Sequence, residues 1–413
     1  MAASSQDREL ERGDGSSAAA PPLDPRSIAR QRGASDGFSW RLSAFYAAMF
    51  VFAGIVLPFF PVWLAAKGLD SRATGIVLAV PMLMRLISVP LIARLADRWS
   101  AFRAVLIAAS FGSALTYVLL SQVAGFVPIL LAVALASLAT APGMPLTDAY
   151  ALKGLGLRGR AYGPVRLWVS VAFVAANVGG GLVIDRIAPI DIIWLLVAAL
   201  GVVAAVSLAL RPLAPEISVP QAFGDLDRKL LLSPGFWAIT AAAGLIQASH
   251  AVYYGFSVLD WRAKDLDATS VGGLWGLAVA AEIVLFALSA RLPKRMSPLA
   301  LVGLGACGAC VRWGAMSFDP PLALLPLLQL LHACSFGATH LGSIQLLARI
   351  APDRQFATAQ GDFATVLALM MAGAMALSGV LYADFGGRAY AAMALAAALG
   401  GACLFMTRRL LRR

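Results

Sequence analysis

The sequence predicts an all-α polytopic membrane protein, with twelve transmembrane helices in two six-helix bundles related as parallel repeats. Three observations carry this expectation. Of 413 residues, 60% are hydrophobic and only 13% charged, with a mean hydropathy of +0.79, whereas a soluble domain carries roughly 25% charge. Apolar windows of about 20 residues, each long enough to cross a bilayer, recur along the chain. Finally, Ser71–Ser100 reads as a copy of Ala268–Ser297, 197 positions later.

The windows fall in order near 40–63, 73–93, 104–123, 125–147, 164–184, 189–210, 236–258, 271–290, 298–317, 321–347, 361–383 and 386–406. In the repeat, without any gap, Gly75 falls on Gly272, Ala93-Arg94-Leu95 on Ala290-Arg291-Leu292, Arg98 on Arg295 and Ser100 on Ser297. Each copy is one apolar helix ending in a basic turn. An offset of about half the chain implies two similar halves in parallel orientation, the pattern of a transporter whose halves rock about a central site. The same register sets Arg85 opposite Glu282, both charges in mid-helix.

Around these spans the chain divides into five parts. Residues 1–38 are Ser, Ala, Gly, Pro and charge, cannot bury a core, and read as a disordered cytoplasmic arm. They carry no apolar stretch like that of a cleavable signal, so the first span must direct insertion. Residues 39–211 form the N-terminal bundle. Residues 212–234, with three prolines and mixed charge, form a central cytoplasmic loop. Residues 235–407 form the C-terminal bundle, and 408–413 a cytoplasmic tail.

A net charge of +11 invites a nucleic-acid reading, but the positions of the cations exclude it. Of 33 Lys and Arg, 25 fall on the side that carries both termini and six on the other; Arg85 and Arg312 lie inside spans. This asymmetry places both termini in the cytoplasm of a multi-pass inner-membrane protein. Cys307 and Cys310 form a C-x-x-C within a Gly/Ala-rich span, where small packing residues are expected rather than metal or redox chemistry. There is no nucleotide loop, metal cluster or nucleophile–base pair, so neither an enzyme nor a cofactor is implied. The partners expected are the bilayer, protons and a small-molecule substrate, for a monomer.

After span 2 stands Ala-Arg-Leu-Ala-Asp-Arg-Trp-Ser-Ala-Phe-Arg, 93–103. It resembles the loop 2–3 signature of the major facilitator superfamily, with Ala93 and Ser100 where glycines are usual. The resemblance implies that Asp97, Arg98 and Arg103 form a charged latch at the cytoplasmic face; the alternative is a cluster that acts as a topology signal alone. A closer resemblance covers most of residues 40–407. Its motifs are Leu57-Pro58-Phe59-Phe60-Pro61-Val62-Trp63-Leu64 on span 1 and Tyr162-Gly163-Pro164-Val165-Arg166-Leu167-Trp168-Val169-Ser170 at span 5. Further on come Glu282-Ile283, Arg312-Trp313, Leu331-His332-Ala333-Cys334-Ser335-Phe336 and His340-Leu341. Together they are similar to the 3-phenylpropionate permease-like branch, related to the lactose and nucleoside proton symporters.

The residues themselves point the same way. A charge at mid-bilayer costs at least about 2.5–3.5 kcal/mol on insertion scales, so it is kept when paired or facing water. His250, Glu282, Arg312, His332 and His340 lie on spans 7 to 10, and Gln329 falls between the two span-10 histidines around the helix. Lactose-type symporters likewise place a carboxylate, an arginine and a histidine on spans 8 to 10, which implies proton coupling. Glu282 is then the proton carrier, Arg312 its modulator, and His332 and His340 relays or substrate ligands. A static ion pair that only fixes packing is the alternative, and His250 fits packing as well as ligation.

In the N-terminal half, Arg85 and Tyr46, with Phe50, Phe60 and Trp63, are candidates to line the same cavity. An arginine facing a cavity suits a carboxylate, which its planar fork takes bidentately; pairing of Arg85 with Glu282 is the other role open to it. Asp148, Arg166 and Asp362 lie near cytoplasmic span ends and read as gate or latch charges. The expected function is proton-coupled import of a small organic solute by alternating access, with an aromatic carboxylate ahead of a sugar or nucleoside. An exporter on the same fold and a solute receptor that moves nothing are the alternatives.

Overall fold

A computed structural model of the chain describes residues 37–98, 101–213, 233–291, 296–351 and 356–410. All of the arm read over 1–38 except Gly37 and Phe38, nearly all of the central loop, the end of the tail and the Trp99-Ser100 part of the latch lie outside these residues. All regular structure among the described residues is helical.

In the N-terminal half the helices are α1 (Phe38–Ala66), α2 (Ser71–Arg98), α3 (Phe102–Gln122), α4 (Phe126–Thr140), α5 (Gly143–Gly156), α6 (Gly163–Ile184) and α7 (Ile192–Ser207). The C-terminal half has α8 (Pro234–Ala248), α9 (Ala251–Arg262), α10 (Ala268–Leu288), α11 (Pro298–Ser317), α12 (Leu325–Leu330), α13 (Thr339–Ile350), α14 (Phe356–Phe385) and α15 (Tyr390–Leu410). Helix starts follow ordinary chemistry. Pro234 and Pro298 open helices at positions where no amide donor is lost. Ser297 caps α11 by accepting from the Ala300 amide at 3.2 Å. The repeat extends into the caps: Asp70 accepts from the Ala73 amide at 2.8 Å, and Asp267, 197 positions on, accepts from that of Ser270 at 2.6 Å.

Among the described residues, ten helical segments are long and apolar enough to cross a membrane, against the twelve windows expected. The difference has two causes. The segment Thr358–Met406 spans 49 residues and contains most of α14 and of α15; at about 1.5 Å per residue it is too long for one crossing and makes two. The seventh window is broken: a turn at Ser249-His250 divides it into α8 and α9, each too short alone. A second irregularity is a π-helical stretch, Ala333–Ala338, between α12 and α13. Such wide turns cluster at functional sites.

Large apolar side chains face outward along the helices, among them Leu115, Leu131, Leu167 and Trp168. In water this surface would be an aggregation liability; in a bilayer it is the lipid-facing wall.

The two halves meet most extensively along two helix pairs, α2 with α14 and α6 with α10, with a lesser contact of α1 with α9, and glycine permits both main crossings. A Cβ built on Gly75 would lie 2.8 Å from the Gly379 Cα, and one on Gly272 only 2.0 Å from the Asn177 carbonyl oxygen. One on Gly181 would lie 2.3 Å from the Ala268 carbonyl oxygen. The two glycines aligned by the repeat, Gly75 and Gly272, therefore hold equivalent positions in the two seams. Both crossings lie at the end of the molecule remote from the described chain termini. There Arg72 pairs with Asp384 at 2.6 Å. Asp185 accepts from the amides of Ala268 at 2.6 Å and Thr269 at 3.0 Å. Among the described residues, every hydrogen bond or ion pair recorded between the halves lies at this end.

Candidate functional site

Arg312 on α11 organises the C-terminal half. It is fully buried, and its guanidinium carbon lies 4.5 Å from the ring centre of Tyr253 and 4.4 Å from that of Trp313. Cation–π contact of this kind contributes about 2 kcal/mol when both groups are desolvated. Glycine again sets the geometry. Cβ atoms on Gly305 and Gly308 would fall 1.9 Å from Thr339 Oγ1 and 2.7 Å from Cys334 Cβ, so α11 packs closely against the π stretch and the start of α13, within reach of Arg312.

One Nη of Arg312 lies 3.0 Å from His332 Nδ1, and the other donates to Gln329 Oε1 at 2.5 Å. Because a guanidinium only donates, Nδ1 of His332 must accept, which leaves the proton of neutral His332 on Nε2. That Nε2 faces Glu282 Oε2 on α10 at 3.6 Å. The four groups form one line: Gln329, Arg312, His332, Glu282. Gly337 makes room for the carboxylate stem, since a Cβ there would lie 3.3 Å from Glu282 Cγ.

A second branch passes through Ser335. Arg312 donates to its Oγ at 3.5 Å, and His250 Nε2 lies 3.1 Å from the same oxygen. Nδ1 of His250 points at the carbonyls of Ile246 and Gln247, at 3.2 and 3.1 Å, so it carries the proton and Nε2 accepts from the serine. The break in span 7 leaves these carbonyls available at the end of α8. His332, Phe336 and His340 stack in sequence, with centroids 5.3 and 6.3 Å apart. The structure thus brings Glu282, Arg312, His332, Gln329 and His250 into one cluster and sets His340 at its edge, against Phe286 at 6.4 Å. Sequence reasoning missed Ser335 and Tyr253 as members; Tyr253 stands three residues after His250, one helical turn on.

The N-terminal half places its candidates in two groups. Asp148 on α5 accepts from Tyr46 at 2.5 Å and Tyr162 at 2.7 Å, and pairs with Arg166 at 3.3 Å. Tyr46 is buried in this charged group, so a residue expected at the substrate stands with two expected at a gate. Arg85 stands apart. It is exposed on α2, roughly opposite the outward ridge of Leu83 and Ile87, and has no ion-pair partner among the described residues. Its expected pairing with Glu282 is not formed here. Of the latch residues, Arg103 donates to the carbonyls of Leu210 at 2.7 Å and Leu208 at 3.2 Å, just past the end of α7. Arg98 is exposed, and the Asp97 side chain lies outside the described residues. Asp362 lies in α14. Cys310 Sγ is 3.7 Å from the Ala394 carbonyl, and no group of three metal-ligating side chains occurs among the described residues.

This arrangement sits within a chain whose residues 39–392 match the family model of the MFS_1 like family. The chain belongs to this family of major facilitator transporters. It is 33% identical over 370 residues to a probable 3-phenylpropionic acid transporter of Escherichia coli (strain K12), covering 85% of this chain and 93% of the relative. It is 27% identical over 342 residues to a maltose permease of Geobacillus stearothermophilus, covering 80% and 85%. Among solved structures, the nucleoside transporter NupG superposes with TM-score 0.79 at 16% identity, covering 91% of this chain and 99% of that one. A bacterial homologue of the human lysosomal transporter Spinster, in an inward-facing and unoccupied conformation, superposes with TM-score 0.70 at 14% identity, covering 91% and 97%. These two likenesses concern the fold, which in this family moves small molecules across a membrane.

Proposed function

We propose that this transporter is a proton-coupled symporter that imports an aromatic carboxylate such as a phenylpropionate across the inner membrane. The observation that carries the proposal is the line Arg312–His332–Glu282. While Arg312 occupies Nδ1, His332 can only donate toward Glu282 and cannot take its proton. Withdrawal of Arg312 frees Nδ1 to carry the ring proton, and in that tautomer Nε2 is an unprotonated base facing the Glu282 carboxyl. A shift of α11 against α10 couples proton occupancy to conformation in this way.

The substrate half of the proposal rests on chemistry available in both bundles. Arg85 is exposed without a counter-charge among the described residues, and a guanidinium takes a carboxylate through two parallel hydrogen bonds. The rings of Tyr254, Phe336 and Phe286 lie around the histidines, and the 33% identical relative is named for an aromatic acid. Gln329 Nε2 and Arg312 Nε are buried without hydrogen-bond partners, which leaves donor capacity for a bound anion or water. With the termini cytoplasmic, seams closed at the far end correspond to an inward-facing state.

Thermal unfolding of the detergent-purified protein against aromatic carboxylates, sugars, nucleosides and cationic drugs, at two pH values, tests this reading. A ligand that binds only the folded state raises the midpoint. Stabilisation by aromatic acids, stronger at the lower pH, is expected. The maltose permease likeness favours a sugar as the second reading, and stabilisation by neutral sugars alone would remove the substrate role given to Arg85.

A further inference from the structure

A cleft of about 530 Å³ opens on the outer surface of the C-terminal half, at the end that carries the chain termini. Its charged wall consists of Arg349, in the last turn of α13, and Arg408, near the end of α15; its apolar wall includes Leu299, Leu404 and Phe405, with Ser297 at the rim. None of these residues belongs to the line around Arg312.

Three features distinguish the cleft from ordinary surface. Both arginines are exposed, and neither has an ion-pair or hydrogen-bond partner among the described residues. Two like charges opening on one cleft repel unless an anion lies between them. The apolar wall is left uncovered, with Phe405 69% and neighbouring Met406 62% exposed. And the residues lie where spans end: the apolar segments begin or stop at Pro298, Ile350 and Met406, so Ser297, Arg349 and Arg408 stand at one bilayer boundary. By the cation asymmetry this is the cytoplasmic boundary, where basic clefts between helices meet anionic headgroups.

A small dissolved anion would use the arginines and leave the hydrophobic wall bare. A ligand with an anionic head and hydrocarbon chains uses the whole cleft. We propose that it binds an anionic phospholipid, the phosphodiester held by Arg349 and Arg408 and the acyl chains laid along Leu299, Leu404 and Phe405. The start of α11 adds the positive end of a helix at the rim. This inference does not depend on what the protein transports or on proton coupling.

Native mass spectrometry of the full chain in detergent tests it, with phosphatidylglycerol and phosphatidylcholine of identical acyl chains offered at equal concentration. The phosphatidylglycerol adduct should be retained about tenfold more than the phosphatidylcholine adduct, the preference expected of charge-assisted contacts from two arginines. The Arg349→Gln/Arg408→Gln variant should bring the two within about twofold, while Arg388→Gln, an exposed arginine at the opposite end, should leave the preference intact. Arg408→Gln alone, at an exposed helix end, gives the same reading with at least part of the loss should the double variant not fold. Equal retention of the two lipids by the wild-type protein would overturn the proposal. So would an undiminished preference in the arginine variants, or thermal stabilisation by inorganic phosphate matching that by phosphatidylglycerol.

Discussion

Asp185 of one half caps a helix of the other: its carboxylate accepts from the amide of Thr269 at 3.0 Å and from that residue's hydroxyl at 2.6 Å. The Ala268 amide adds a third bond at 2.6 Å, and Arg262 stands 4.0 Å away. Amides at a helix start have no partner within the helix, and negative charge there is favourable. The two halves are thus held at this end by a cap whose acceptor and donors belong to different halves.

Replacing Asp185 with Asn should shift the molecule away from this far-end-closed state, by about 1 kcal/mol for loss of a charge at a helix N-terminus. Faster maleimide labelling of a cysteine replacing Val178, whose side chain already faces Gly276 across the seam, compared in the two backgrounds, would show it; equal rates would make the contact incidental.

The same cap has a defined pH dependence. Burial alone would raise the Asp185 carboxyl, but the bonds from Thr269 and Ala268, with Arg262 nearby, hold it below its ordinary 3.8. A depressed folded value means that the stabilisation is present in full above the unfolded value and is lost as pH falls through the folded one. The wild-type unfolding midpoint should therefore drop below about pH 4 more steeply than that of Asp185→Asn, and the difference should be constant from pH 6 to 8. A difference that varies between pH 6 and 8 would assign the effect to another group.

Gly272→Leu should open the seam further, because even a Cβ would meet the Asn177 carbonyl at 2.0 Å and backbone cannot move aside as a side chain can. Spin labels at the far ends of α6 and α10 should report a longer distance than in the wild type. An unchanged distance would mean that the glycine contact does not set the closed state.

Arg312→Lys keeps the charge but not the planar fork that reaches both His332 and Gln329. Uptake driven by a pH gradient should fall by an order of magnitude or more, in line with about 1.4 kcal/mol per tenfold, while thermal stability falls by only a few degrees. Uptake at the wild-type level would reduce Arg312 to a packing role.

Much of this was legible in the chain. The 197-residue offset marked two parallel halves, and the glycines it aligns, Gly75 and Gly272, proved to sit in the two seams. The charges on spans 8 to 10 were visible because ionisable groups in apolar windows are few. What stayed hidden depends on approach between helices distant in sequence. Asp185 reads as one more charge at a span end, and nothing local says that it reaches Thr269, 84 residues on. Tyr46 reads as a cavity aromatic until Asp148, 102 residues away, is seen beside its hydroxyl. The break at Ser249-His250 carries no proline or glycine, and the π stretch at Ala333–Ala338 only a single Gly337 that also occurs in straight helices.

The most direct test of the coupling scheme is uptake of labelled 3-phenylpropionate into proteoliposomes under an imposed pH gradient, comparing the wild type with Glu282→Gln. The wild type should accumulate the acid above equilibrium. Glu282→Gln should fail to accumulate it while still exchanging internal for external substrate, because the proposed coupling scheme assigns that residue to the proton and not to substrate. Accumulation by Glu282→Gln at the wild-type level would contradict the role of Glu282 as the proton carrier and, with it, the line from Arg312 through His332 as the coupling device.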